Sequence, residues 1–423
     1  MKEACQLGNN NFPSWAAIVF ATRTHPILGG SSVSIEHRDY VVGLAALNAQ
    51  VRILDTSPPS SQERSSEANP KDERIIRDLP TATNSDISEV VCIANAYDFF
   101  TIPGKDLKLQ TQRLLSNLFP HLKRVFWVAR AITETTHVPK LFAEGLTVYD
   151  EIWVPSDFHF RTFATCGIAA EKVRIIPEAL NVDEWVQDRD GSSITIANRR
   201  KFAFLAVSRY PVDRLGQSPS WNQARKAIPL LLRAFTEEFD PDEDVCLLLK
   251  GSGSIEEEHQ RIAEWLKEYD RRDSAPQVIP FGGPISNRKL LALMSQADAF
   301  VGVGRGEGWG RPMAEAMLLG KPTIGTRFGG NTEFMNENNS YLVECSLVPV
   351  AAIFPKLTDY GYWAEPSLSS FRKILRNVFA NSLENTRLTR RCAEEMSALY
   401  NRKVVAELIL RRVREILAQV SWR

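Results

Sequence analysis

The chain has 423 residues, 44% of them hydrophobic, a globular composition with more chain than one ordinary core accommodates, so two domains are expected. Acidic and basic residues balance at 51 each, so no net field draws the protein to nucleic acid or an anionic membrane, and a small-molecule substrate is favoured. Six scattered cysteines (Cys5, Cys92, Cys166, Cys246, Cys345, Cys392) lack metal-ligand spacing and disulfide density; with no secretory start and no apolar run of ~20 residues, the expected compartment is the cytoplasm.

In chain order, short apolar runs alternate with amphipathic stretches. "AAIVFATR" (16–23) is followed by a helical pattern over 32–49, then by "QVRIL" (50–54), "EVVCIANA" (89–96), "RVFWVAR" (124–130), "EIWVPS" (151–156) and "KVRIIPE" (172–178). Strands buried on both faces of a parallel sheet read this way, which predicts a doubly wound α/β domain over residues 1–190. Residues 55–88, rich in Ser, Pro and charge, read as a mobile surface insertion. Past the polar segment 186–201 the pattern restarts with "FAFLAVSR" (202–209), "VCLLLKG" (245–251), "QVIPFGG" (277–283), "AFVGVG" (299–304) and "PTIGT" (322–326), with helices at 255–269 and 286–297. A second Rossmann-like domain over 197–385 follows, joined to the first near 186–200. Residues 386–423 are expected to form helices packing back on the body. In the tail, Val404, Val405, Leu408, Ile409, Ile416 and Leu417 form one stripe opposite Arg411, Arg412 and Arg414; a peripheral membrane contact is the alternative for such a basic amphipathic helix.

The most informative stretch is "RGEGWGRPMAEAMLLG" (305–320). It reads as a glycine-rich loop after a strand, then a helix that starts near Arg311 with proline in its first turn and stops at Gly320. Such a unit directs backbone N–H groups and the positive helix end at one point, which suits a phosphate or sugar hydroxyls, and glycine allows close approach to the main chain. Glu307 falls in the loop and Glu315 in the helix's second turn, four residues after Arg311 and on its face. Trp309, between two glycines, is expected to lie against the ligand or to close the cleft.

"GEGWGRPMAEAMLLGKPTIGTRFGGNTEF" resembles the donor-binding signature of the retaining glycosyltransferases of family 4, with Glu307 and Glu315 as its E-x7-E pair. Further stretches resemble the same family in the same order: 149–168 with 172–185, 206–235, and 362–375. The resemblance implies the α/β GT-B fold, two Rossmann-like domains facing across a cleft that holds the active site. It implies a nucleotide-sugar donor and transfer of a hexosyl group with retention to an acceptor, glycan, lipid or small molecule, that the sequence does not name.

Residue by residue, the resemblance gives Glu315 the ribose hydroxyls and Glu307 the transferred sugar, where it stabilises positive charge at the anomeric carbon. Gly308, Trp309 and Gly310 offer backbone N–H groups to the donor. Arg209 and Lys226 neutralise the diphosphate, and Gly29 and Gly30 match the glycine loop under the donor phosphates. The segment between Arg209 and Lys226 is longer than in the family, which keeps Arg214 and Arg225 open as phosphate ligands. Lys250 stands where the family commonly has glycine, either as a phosphate ligand at a strand end or as a solvated loop lysine. The family's cleft histidine has no counterpart in "CIANAYDFF", which leaves Asn95, Glu134 and His137 as acceptor or sugar candidates.

No metal or other cofactor is expected. "DPDED" (240–244) precedes a strand, away from the carboxyl ends where parallel sheets bind ligands, and the six histidines have no ligand spacing. There is no P-loop and no G-x-S-x-G. Retention leaves two routes, a covalent intermediate or front-face attack in which the departing phosphate takes the acceptor's proton, and the second needs no nucleophile from the chain. A GT-B epimerase or phosphorylase, or a catalytically silent nucleotide-sugar binder, are the competing readings.

Overall fold

The structure is a computed structural model that describes residues 12–22, 32–55, 68–80, 86–96, 104–187, 196, 198–208, 221–268 and 275–420. Two compact units divide the chain: Met1–Ile132, Val138–Asn181 and Leu399–Arg423 form the first, and Thr133–His137 with Val182–Ala398 the second. The expected borders at 190 and 197 therefore fall inside the second unit, and the expected tail segment is shared between the two.

The first unit is built on strands β1 (Ala16–Thr22), β2 (Val51–Asp55), β3 (Glu89–Asn95), β4 (Arg124–Arg130), β5 (Glu151–Val154) and β6 (Val173–Ile175), in the all-parallel order β2-β1-β3-β4-β5-β6. Helices α1 (Ser32–Ala46), α2 (Pro70–Arg77), α3 (Gly104–Leu118), α4 (Lys140–Leu146) and α5 (Asp157–Thr165) lie between them in sequence. Alternate residues of β1 feed opposite cores: Ala16, Ile18 and Phe20 join one, Ala17, Val19 and Ala21 the other. This two-residue period with both faces covered is why the strands read as unbroken apolar runs.

The second unit begins with α6 (Val182–Gln187) and continues through β7 (Phe202–Val207), α7 (Trp221–Lys226), α8 (Ile228–Glu238), β8 (Val245–Lys250), α9 (Ile255–Glu268), β9 (Gln277–Phe281), α10 (Asn287–Gln296), β10 (Ala299–Gly302), α11 (Arg311–Leu318), β11 (Thr323–Thr326) and β12 (Tyr341–Val343). Its sheet is also parallel, ordered β12-β11-β10-β7-β8-β9. An antiparallel pair follows, β13 (Cys345–Pro349) and β14 (Tyr362–Pro366), then α12 (Leu368–Ala380) and α13 (Ser382–Tyr400). Phe204, Leu247 and Val301 of the sheet pack with Leu232 and Phe235 of α8 and Phe371 and Leu375 of α12.

The last helix, α14 (Arg402–Val420), packs on α1 of the first unit. A Cβ on Gly43 would lie 2.6 Å from the carbonyl oxygen of Arg402, so glycine is what lets these two helices approach. Val405, Ile409, Val413 and Ile416 are buried, whereas Lys403, Glu407, Arg411 and Glu415 alternate in sign on the exposed face. That face is mixed in charge, so the basic membrane-binding face entertained from the sequence does not form. Among the described residues no helix is long and apolar enough to cross a membrane.

Two polar networks fix the first unit. Arg402 donates to Asp39 (2.7 Å) and Asp72 (2.8 Å), joining α14 to α1 and α2. Within the stretch 55–88, expected to be a mobile surface insertion, residues Pro70–Arg77 form helix α2: the Asn69 side chain caps Asp72 N at 2.9 Å, proline enters the first turn, and Ile76 is buried. Deeper in the core, Arg130 and Glu36, 0% and 1% exposed, form an ion pair. Arg130 also donates to Ile176 O (2.7 Å), while the Tyr40 hydroxyl reaches both Glu36 (2.9 Å) and Pro177 O (2.8 Å).

Candidate active site around the β10–α11 loop

The loop leaving β10 runs through residues 303–310 into α11. Thr326 Oγ1 both accepts from Gly304 N (3.0 Å) and donates to Gly304 O (2.6 Å), fastening the loop to the end of β11. A Cβ on Gly306 would sit 2.3 Å from the backbone oxygen of Glu134, so here the space opened by glycine is filled by the chain's own backbone. Glu307 is held at its main chain by Gly330 N, which donates to its carbonyl at 2.7 Å. Helix α11 starts after Gly310, whose φ of 95° lies in the left-handed region, and no side chain caps it. Its first-turn N–H groups thus present the partial positive charge of a helix start.

The charged groups of the site converge on Glu307. Lys226 Nζ donates to Oε2 at 2.7 Å, and Arg225 Nη1 stands 3.6 Å from Oε1. Arg225 further donates to Gly306 O (2.9 Å) and pairs through Nε with Glu134 (3.0 Å). Two cations and two carboxylates make a balanced quartet. Burial alone would raise the Glu307 carboxyl, but the charges of Lys226 and Arg225, with the hydrogen bond from Lys226, overcome it and hold that group below the ordinary carboxylate range. Burial lowers the Lys226 ammonium, and Arg225 adds to this against the pull of Glu307.

Glu315 lies in the second turn of α11, 5% exposed, with Arg311 Nη1 3.9 Å from its carboxylate. Trp309 differs from expectation: it is 1% exposed and its ring packs 4.9 Å from that of Phe334, so the indole is a core anchor for the loop and only its backbone is left for a ligand. Lys250 is not a solvated loop lysine. It is buried, and its ammonium donates to the carbonyls of Gly283 (2.7 Å) and Gly251. Arg225, open as a phosphate ligand from the sequence, is committed to Gly306, Glu134 and Glu307.

Glu134 and His137 both belong to the second unit. Glu134 joins the quartet, whereas His137 Nδ1 lies 3.0 Å from Thr136 Oγ1 beside Gly361. Asn95 closes β3 of the first unit, nearly buried at the carboxyl end of that strand. Gly29, Gly30, Arg209 and Arg214 lie outside the described residues. The acidic turn at 240–244 has structural partners: Asp244 accepts from Lys201 N (2.8 Å) and Glu243 pairs with Arg376. Among the described residues no group of three or more His, Cys, Asp or Glu is placed to hold a metal ion.

Sequence reasoning passed over Arg305. Its guanidinium makes a two-pronged pair with Glu365 (2.6 and 2.9 Å), donates to Ala224 O (2.6 Å) and lies 6.0 Å from the Trp363 ring. This links the loop to β14 and α7. The available signal was an arginine directly ahead of the glycine-rich turn, but its partner is 60 positions away.

Residues 216–352, which contain this loop, match the family described as Glycosyl transferases group 1. The chain is similar over 94% of its length to HepE of Anabaena in complex with UDP and glucose (13% identity, 99% of that chain, TM-score 0.59). It is also similar over 96% of its length to sucrose-phosphate synthase from Thermosynechococcus elongatus (16% identity, 100% of that chain, TM-score 0.62). The chain has the GT-B glycosyltransferase fold. A curated relative, mannosylfructose-phosphate synthase of Agrobacterium fabrum, is 25% identical over 166 residues, 39% of this chain and 34% of that protein. The match thus spans about a third of the relative's length.

Proposed function

We propose that the protein is a nucleotide-sugar-dependent glycosyltransferase of family 4 type that transfers a hexosyl group with retention of anomeric configuration. The observation that carries the reading is Glu307, set in a glycine-rich loop ahead of an uncapped helix start and held at 2.7 Å by Lys226, with Glu315 one helical turn farther on. In this account Glu315 accepts the ribose hydroxyls, and backbone N–H groups from Gly308 to Gly310 receive oxygens of the donor. Glu307 faces the sugar and stabilises charge at the anomeric carbon.

Lys226 and Arg209 neutralise the diphosphate as it departs, a task for which the scheme uses no metal ion. Lys250 would have to leave two backbone carbonyls to join them, so we assign it a minor part. A carboxylate already neutralised by Lys226 and Arg225 is a poor nucleophile, which favours front-face attack with the leaving phosphate as base. That the neighbour HepE is named in complex with UDP and glucose agrees with a nucleotide-sugar donor.

The test is a transfer assay over a panel of nucleotide-hexoses and acceptors, with product configuration read by proton NMR. Release of nucleotide with a retained anomeric centre is the expected result. Sugar release driven by inorganic phosphate without nucleotide would make it a phosphorylase, interconversion of donor sugars an epimerase, and donor binding without turnover a silent binder; each replaces this account.

A further inference from the structure

Arg225 and Lys226 are consecutive, yet both reach Glu307. Neighbouring residues on a helix point about 100° apart, and here the helix ends at once: Ala227 turns the chain with φ 47° and ψ 34°, left-handed values that an L residue adopts at a cost. The outcome is that each oxygen of the Glu307 carboxylate faces a different cation, Oε2 the Lys226 ammonium at 2.7 Å and Oε1 the Arg225 guanidinium at 3.6 Å.

The two cations are engaged differently. Arg225 spreads its fork over Gly306 O (2.9 Å), the Glu134 carboxylate (3.0 Å) and Glu307, and its own carbonyl accepts from Arg305 N at 2.6 Å. It touches the loop backbone at Arg305 and Gly306, the two residues ahead of Glu307, and is 7% exposed. A planar guanidinium can hold several acceptors in fixed geometry; a lysine is a single point charge.

We propose that Arg225 is a positioning residue for Glu307, fixing the place and charge of its carboxylate, with Glu134 holding the guanidinium from its other side. The role rests on the reading of Glu307 as the carboxylate that faces the transferred sugar. It leaves the diphosphate to Lys226 and Arg209 and removes Arg225 from the phosphate ligands. The segment Thr133–His137 acquires a function: Glu134 keeps Arg225 in the orientation that serves Glu307.

The experiment pairs carboxyl ¹³C NMR of glutamate-labelled protein with donor kinetics, in wild type, Arg225→Gln, Arg225→Lys and Glu134→Gln, with Glu307→Gln identifying the resonance. Among the described residues the charged groups facing Glu307 are Lys226 and Arg225, with Glu134 behind Arg225. In Arg225→Gln the Glu307 titration midpoint should rise by about one pH unit or more, and kcat should fall at least about tenfold with donor KM changed less than about threefold. Arg225→Lys should keep the midpoint near wild type yet recover little of kcat, and Glu134→Gln should lower kcat with the charge beside Glu307 intact.

An unmoved midpoint in Arg225→Gln, full recovery in Arg225→Lys, or a loss confined to donor KM would overturn the proposal, the last by making Arg225 a phosphate ligand. Should Arg225→Gln not fold, the lysine and Glu134 variants decide it by the same criteria. If the wild type transfers no sugar, the reading of the site fails on its own, while the midpoint still settles whether Arg225 governs the charge of Glu307.

Discussion

Two buried charge networks, one in each unit, are built on opposite plans. Arg130 and Glu36 are sealed in the first unit's core and braced by backbone carbonyls and Tyr40, so that every group has a fixed partner. The Glu307 quartet balances its charge just as closely but keeps its carboxylate and lysine 17% exposed, in a loop where the main chain is pinned and the side chains are within reach of solvent. A network with no access serves folding; one with rigid backing and partial access serves binding, because a ligand can replace water without rearranging the frame.

Substitutions can break this contrast. The largest expected effect is on the sealed pair: Arg130→Met leaves Glu36 buried without its cation and should cost about 3–5 kcal/mol in urea unfolding. Replacing Arg130 and Glu36 together by apolar residues should restore much of that loss. Glu307→Gln should fall mainly on activity, costing about 3 kcal/mol in transition-state stabilisation by kcat/KM and less in stability at neutral pH than Arg130→Met does.

Acid should separate the networks further. Because the Glu307 carboxyl is depressed in the folded protein, its contribution to stability is complete above the ordinary glutamate value of about 4.3 and fades as the pH falls below it. The stability difference between wild type and Glu307→Gln should therefore shrink below about pH 4, as measured by unfolding at stepwise lower pH. The smallest effect is expected at Ala227: glycine there relieves left-handed strain and should raise stability by up to about 1 kcal/mol, while kcat falls as Arg225 and Lys226 lose their fixed exit from α7.

The sequence made some of this legible and hid the rest for physical reasons. Strands buried on both faces, such as β1 and β8, announce themselves as apolar runs, and the eight-residue spacing from Glu307 to Glu315 is visible without a structure. Helix α2 escaped because it depends on Asp72 meeting Arg402, 330 positions away. Strands β12 to β14 are only three to five residues long, too short to stand out from a loop. Trp309 was read from its glycine neighbours, but the pocket lined by Phe334 decides where an indole goes. Glu134's partnership with Arg225 joins residues from separate stretches of chain, which no local pattern encodes.

The central claim is that the β10–α11 loop binds a nucleotide-sugar. It is tested most directly by isothermal titration of wild type and Glu315→Ala with UDP-glucose, UDP-N-acetylglucosamine, GDP-mannose and ADP-glucose, with and without magnesium. The account predicts that one donor binds the wild type and that the variant loses at least about tenfold in affinity, the cost of one charge-assisted hydrogen bond. Absence of binding by all four, or equal binding by the variant, would contradict it.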